Sequence, residues 1–164
     1  MSLAETIQPS RTASHLAAYA PLYQNELLQN ILPFWLNHSK DEKNGGYLTC
    51  LNRDGSVYDT DKFMWLQGRA VWCFSFMYNH VEKREEWLRM ALHGAAFMEK
   101  YGRDANGDWY FSLTADGRPL VQPYNIFSDC FATMAFASLD KATPNEQYRQ
   151  IATETFQRII QRQH

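Results

Sequence analysis

The chain has 164 residues, of which 45% are hydrophobic and 15% aromatic, and this composition supports one domain with a sizeable core. The formal net charge is -2 and Lys and Arg form no basic run, which argues against a nucleic-acid partner or an anionic lipid surface. Three widely spaced cysteines without metal-ligand spacing argue against a disulfide framework, a metal site or a metal cofactor.

No stretch approaches the length of a membrane span, and no apolar signal region follows the start. The free thiols fit a reducing compartment. A cytoplasmic location, without a membrane partner, is therefore expected.

The first predicted element is an amphipathic helix over residues 21–37. Residues 1–20 begin with a polar stretch and are expected to form a flexible N-terminal segment. Apolar side chains then recur at helical spacing, at Tyr23, Leu27, Ile31, Phe34 and Trp35. Pro33 is expected to kink or end this helix because it has no backbone N–H to donate.

A hairpin, a buried helix and a second amphipathic helix follow in order. Residues 45–58 predict a β-hairpin, because strand-forming residues flank the turn at Asp54 and Gly55. Residues 63–78 are apolar on nearly every face, which is typical of a helix inside a protein. Residues 85–101 return to an amphipathic helical pattern.

The same order recurs after 62 residues, the distance from Gly55 to Gly117. A hairpin is predicted over residues 108–120, an all-apolar helix over 126–139 and an amphipathic helix over 145–162. At this offset five pairs of residues correspond: Tyr47 with Trp109, Leu51 with Leu113, Trp65 with Phe127, Gln67 with Asp129, and Phe74 with Phe136.

This alternation predicts an all-α fold of the α/α-toroid class, with short β-hairpins between outer and inner helices. Residues 21–164 would supply about two and a half helix-pair repeats. Because such an open arc leaves an inner helix without a neighbour, the sequence is expected to be part of a longer ring or to be completed by another chain.

Arg69 is the residue that most strongly suggests chemistry. It lies within an apolar helix, where a guanidinium is costly unless it is paired or faces a wet cavity. Trp65, Arg69 and Trp72 share one helical face, and such a cation between aromatic surfaces suits a polyhydroxylated ligand. The alternative is an internal ion pair with Asp61 or Asp129.

Gln67 and Asp129 occupy equivalent positions in the two apolar helices. Each can hydrogen-bond a sugar hydroxyl group or tie neighbouring helices together, and both interpretations stay open here. The histidines are expected at helix ends or on the surface, so the sequence predicts no acid–base pair.

Five segments together resemble the N-terminal half of the N-acylglucosamine 2-epimerase family, and the likeness runs from about Tyr23 to the end of the chain. The segments are residues 34–39, 45–51, 57–62, 65–72 and 122–132. The resemblance implies an (α/α)6 barrel, of which this chain would be an incomplete part. It also implies a free-sugar substrate, with N-acetylglucosamine and N-acetylmannosamine interconverted by proton transfer at C2.

The same resemblance assigns roles to residues of this chain. Arg69 corresponds to the family's active-site arginine and is the catalytic candidate, stabilising an enediolate. The substrate-binding candidates are Trp65, Phe127 and Asp129, with Gln67 added as the counterpart of Asp129. The resemblance further implies a homodimer, ATP as an effector in full-length members, and catalytic histidines in a C-terminal half that this chain is expected to lack.

Two other functions are weighed against this one. A half-toroid that kept the fold without catalysis could serve as an interaction module. A related α/α-toroid isomerase acting on another sugar, or a hydrolase, is the other alternative. A hydrolase needs two carboxylates in the cavity, and only Asp129 is a good candidate. Under the leading interpretation, this chain alone is expected to be inactive.

Overall fold

Helices dominate the computed structural model, which describes residues 11–162, and side chains from residue 16 onward. The described part of the chain divides into two compact units, with the boundary between Asn37 and His38. The predicted all-α class with short β-hairpins is confirmed. Among the described residues, no helix combines the length and the apolar character that crossing a membrane requires.

The first unit is helical throughout its described part. Helix α1 spans Arg11–Glu26, a π-helical turn spans Leu27–Ile31, and helix α2 spans Leu32–His38. Helix α1 begins before the predicted start, so residues 11–20 of the expected flexible segment are helical, in keeping with their alanine content. Residues 1–10 lie outside the described part.

The π-helical turn has a local cause in Pro33. Because Pro33 has no N–H, the carbonyl group of Gln29 loses its usual helical donor. The backbone N–H of Leu32 donates to the carbonyl oxygen of Leu27, five residues back, which is the wider π spacing. The proline therefore alters the helix just before itself, and the chain stays helical to His38.

Two β-hairpins lie in the second unit, as predicted. Strands β1 (Cys50–Leu51) and β2 (Val57–Asp59) pair antiparallel. Strand β3 (Lys62–Phe63) pairs with β4 (Ser112–Leu113), which in turn pairs with β5 (Pro119–Val121), all antiparallel. The turn glycines Gly55 and Gly117 have φ angles of 85° and 88°, a left-handed conformation that glycine adopts without strain.

Four helices of this unit form two layers. They are α3 (Met64–His80), α4 (Glu85–Tyr101), α5 (Phe127–Ala142) and α6 (Glu146–Gln161). Helices α3 and α5 pack against each other and form the inner layer; α4 packs on α3 and α6 packs on α5, forming the outer layer. The helices predicted to be apolar on all faces are therefore the inner pair, since they have neighbours on more sides.

The 62-residue repeat is visible in the core. Tyr47 and Trp109, which are equivalent in the repeat, are both fully buried. The ring of Tyr47 packs against Phe74, with centroids 6.1 Å apart, and the ring of Trp109 packs against Phe136, the equivalent of Phe74, with centroids 5.9 Å apart. The polar atom of each ring is also bonded to the outer layer. Tyr47 Oη donates to the Met90 carbonyl oxygen (2.6 Å), and Trp109 Nε1 donates to Thr155 Oγ1 (3.1 Å).

A buried ion pair ties the loop before β1 to strand β3. Lys62 Nζ donates to Asp41 Oδ2 (2.7 Å) and to the carbonyl oxygen of Gly45, and lies 4.3 Å from the ring centroid of Phe97. Burial alone would raise the pKa of Asp41, but hydrogen bonds from Lys62 and Asn44 outweigh it and lower the pKa below its ordinary value.

The lowered pKa of Asp41 predicts acid-dependent stability. A carboxylate with a depressed pKa in the folded state stabilises the protein above its unfolded-state pKa, and the stabilisation is lost as pH falls through the folded-state pKa. Asp41→Asn should lower the free energy of unfolding by about 3–5 kcal/mol at neutral pH, because it leaves the buried Lys62 ammonium without its counterion.

Urea denaturation of both proteins from about pH 7 to about pH 3 measures this difference, which should shrink as pH falls below the ordinary carboxyl pKa of about 4 and toward the lowered pKa of Asp41. Asp61→Asn, at a partly exposed position, is the control and should change little at any pH. A difference that stays constant down to the lowest pH would contradict the assignment.

Candidate functional site

The inner layer carries an exposed surface of aromatic side chains and one cation, here called the aromatic face. On α3 its members recur at helical spacing, and on α5 they do the same. The face consists of Trp65, Arg69, Trp72, Phe76, Phe127, Phe131 and Met134. Phe127 is 63% exposed, Met134 41% and Phe76 38%, values far above those of the core residues. Contiguous exposed apolar side chains of this kind are typical of a binding or contact site.

The guanidinium of Arg69 lies at the junction of the two inner helices. Its Cζ atom is 5.0 Å from the ring centroid of Trp65 on α3 and 5.0 Å from that of Phe131 on α5. Both rings lie within cation–π distance. The described residues supply no ion pair to Arg69, so the predicted alternative of a bond to Asp61 or Asp129 is not formed. Its donors are therefore available to a ligand.

Gln67 faces the opposite way, into the core. It is fully buried, and both ends of its amide group bind the backbone of Tyr47: Oε1 accepts from the N–H (2.8 Å) and Nε2 donates to the carbonyl oxygen (2.9 Å). Gln67 therefore ties helix α3 to the segment before β1, and not to a neighbouring helix. Its role in sugar binding stays a prediction.

Asp129 is also fully buried and faces helix α6. Its Oδ1 accepts from Arg162 Nη1 (3.3 Å), and its Oδ2 has no hydrogen-bond partner among the described residues. Burial raises the pKa of Asp129, and the charge of Arg162 offsets this only in part. Arg162 also pairs with Asp108. This placement argues against Asp129 as a sugar ligand and against a hydrolase that would use it in a cavity.

Trp65 and Phe127 lie on the aromatic face, and their roles in substrate binding stay predictions. Phe127 begins α5, and its N–H donates to Asn125 Oδ1 (3.0 Å). Phe131, which the sequence reasoning missed, is the third member of the Arg69 junction. The repeat could have identified Phe131, because it follows Arg69 by 62 residues, the same offset that relates the two repeats.

Three histidines have described side chains, and each has a contact elsewhere than at Arg69: His38 lies against Gly55 of the first hairpin turn. His80 follows Arg69 by eleven residues on the same helix, about 16 Å along the axis, and stacks on Phe76 with centroids 4.5 Å apart. His93 Nε2 is bonded to the carbonyl oxygen of Gly46 (3.0 Å). Within the described residues, no group of three His, Cys, Asp or Glu side chains could hold a metal ion.

Comparison with known proteins gives a consistent result. Residues 46–164 match the family model of N-acylglucosamine 2-epimerase (GlcNAc 2-epimerase). N-acylglucosamine 2-epimerase of Mus musculus is 43% identical over 137 residues, which are 81% of this chain and 33% of that protein. Cellobiose 2-epimerase of Dictyoglomus turgidum is 30% identical over 136 residues, 81% of this chain and 34% of that protein.

A solved structure of cellobiose 2-epimerase from Bacillus thermoamylovorans matches with a TM-score of 0.77 and 27% identity. The match covers 86% of this chain and 36% of that one. It confirms the predicted α/α-toroid architecture. The chain spans about a third of the length of the relatives it matches.

The junction that holds Arg69 depends on the close contact of α3 and α5 at Gly68. A Cβ atom at Gly68 would lie 2.9 Å from the backbone carbonyl carbon of Phe131, closer than such atoms approach. Gly68→Ala should therefore destabilise the protein by about 1–3 kcal/mol through overpacking. Helix propensity alone predicts the opposite sign, a gain of about 1 kcal/mol.

Thermal or urea denaturation distinguishes the two effects. Ala137→Gly, at an exposed position of α5, is the control, and should cost about 1 kcal/mol through propensity alone. An alanine at position 68 that raises the unfolding free energy would show that the helices separate there without cost.

Proposed function

Because the chain belongs to the N-acylglucosamine 2-epimerase family, we propose that it is part of a sugar 2-epimerase whose substrate contacts the aromatic face. The observation that carries this proposal is the guanidinium of Arg69, exposed, free of ion pairs among the described residues and set between aromatic rings. Aromatic rings stack on the C–H faces of sugars, and a guanidinium donates to their oxygen atoms.

The proposed reaction gives Arg69 a specific task. Epimerisation at C2 of an open-chain sugar removes the proton beside the aldehyde, and the negative charge of the resulting enediolate develops on the oxygen atoms at C1 and C2. Arg69 is always protonated and presents donors in a fixed plane. Donors placed where charge develops stabilise the transition state more than the ground state.

Proton transfer needs separate groups. Inversion at C2 requires one base on each side of the sugar, each within hydrogen-bond reach of the carbon-bound proton. The described contacts place His38 against Gly55 and bond His93 to Gly46, and His80 lies about 16 Å from Arg69 along the helix axis. We therefore assign binding and charge stabilisation, and not proton transfer, to this part of the protein.

We propose N-acetylglucosamine and N-acetylmannosamine as the sugars, because the chain is more similar to N-acylglucosamine 2-epimerases than to cellobiose 2-epimerases, at 43% and 30% identity in the two relatives compared. A homodimer and ATP as an effector stay predictions from the family resemblance, and a cytoplasmic location stays a prediction from the free thiols and the sequence pattern. No described residue is assigned to ATP.

Sugar binding by this chain tests the role of Arg69. N-acetylmannosamine should perturb the NMR signals of the aromatic face, and Arg69→Met should weaken binding about tenfold, the value of one charge-assisted hydrogen bond. Arg149→Met, which removes an exposed arginine from the outer helix α6, is the matched control and should leave the affinity unchanged. Equal affinities of the wild-type chain and the Arg69 variant would overturn the assignment.

Proton exchange tests the separation of binding from proton transfer. Incubation of N-acetylmannosamine with the 164-residue chain in heavy water should give no deuterium at C2, because the described residues lack an acid–base pair at Arg69. Mass spectrometry of the sugar, against a buffer blank, is the measurement. Clear enzyme-dependent deuterium uptake would show that this chain contains the proton-transferring groups.

A further inference from the structure

The guanidinium of Arg69 lies against aromatic rings and not against a carboxylate. Among the described residues, no carboxylate lies within ion-pair distance of Arg69. Its contacts of defined geometry are the two rings of Trp65 and Phe131, each 5.0 Å from Cζ. The side chain has several rotatable bonds and is exposed, so without these rings it would sample many rotamers.

The three groups form a compact junction. The ring centroids of Trp65 and Phe131 are 6.1 Å apart with an interplanar angle of 45°. The Cζ atom of Arg69 is 5.0 Å from each centroid, so the guanidinium lies over the angle between the two rings, here called the notch. It is not stacked between parallel ring faces. Attraction by ring faces leaves in-plane N–H groups free to donate to other acceptors.

The notch has one wall on each inner helix. Trp65 precedes Arg69 by one helical turn, so this wall comes with α3 itself. The Phe131 wall comes from α5, and its place is fixed by the close contact of its backbone with Gly68, the residue next to Arg69. Phe131 is also the repeat counterpart of Arg69, which is why both side chains emerge on the same face.

From this geometry we infer that Phe131 is a positioning residue: its ring fixes the guanidinium of Arg69 over the aromatic face, with the donors free for an oxygen-rich ligand. The expected effect of Phe131 on sugar binding rests on the proposed function. Phe131 acts through Arg69, by reducing the rotamers that must be lost when the sugar binds.

The NMR signal of the Arg69 side chain tests this inference. In the 15N-labelled chain, the Nε–Hε signal of Arg69, assigned with R69K, should be displaced by the ring currents of its two neighbours. Phe131→Leu should move this signal toward the position of a freely rotating arginine, and Phe131→Tyr, which keeps the ring, should preserve it. Phe156→Leu removes an exposed ring from α6 and should leave the signal unchanged.

Titration with N-acetylmannosamine gives the second measurement. The half-saturating concentration should rise about threefold or more in Phe131→Leu, as expected for loss of an exposed cation–π contact, and should return in Phe131→Tyr. Backbone amide signals of α3 report whether the leucine variant keeps the helix contact. If it does not, Phe131→Met, which keeps side-chain volume without a ring, replaces it.

The outcomes separate this inference from the proposed function. An Arg69 signal that does not respond to loss of the Phe131 ring overturns the inference, whatever the sugar does. A signal that responds to Phe131 in a chain that sugar does not perturb supports the positioning role and overturns the proposed function. A Phe131→Leu variant with a displaced Arg69 signal and an unchanged sugar affinity also contradicts the inference, because the position of the guanidinium would then not affect sugar binding.

Discussion

The inner helices make a close backbone contact at Gly68, and the arrangement of the candidate site follows from it. The absence of a side chain lets the backbone of α5 approach α3 at Phe131. Because the two helices lie this close at Gly68, Arg69 and Trp65 of α3 contact the Phe131 ring of α5. A larger residue at position 68 would separate the two walls of the notch as well as the helices.

Buried polar contacts hold the loops and hairpins to this pair of helices. Gln67 satisfies both backbone groups of Tyr47, and Lys62 holds the loop at Asp41 and Gly45. Such contacts contribute little net stability when complete, but each is costly when one partner is removed. Their effect is to fix where α3 begins relative to the hairpin, and therefore where Arg69 lies relative to the rest of the unit.

The sequence predicted the elements better than the directions of individual side chains. Asp-Gly turns between strand-like residues identified both hairpins, and the 62-residue repeat identified two layers of helices. Burial of Gln67 was not predicted, because a helix that is apolar on nearly every face has no period that shows which side meets solvent. Only the contacts with Tyr47 reveal its direction.

The two repeats use one position in different ways. At position 67 a neutral amide matches a donor and an acceptor of the backbone, so every polar atom is satisfied. At the equivalent position 129 a carboxylate meets Arg162, with one oxygen left without a partner among the described residues. Exposure is the physical property that separates Asp129 from Arg69, the other charged candidate on an inner helix. The exposed charge of Arg69, without a counterion among the described residues, can interact with a ligand, whereas the buried carboxylate of Asp129 already has Arg162 as its partner.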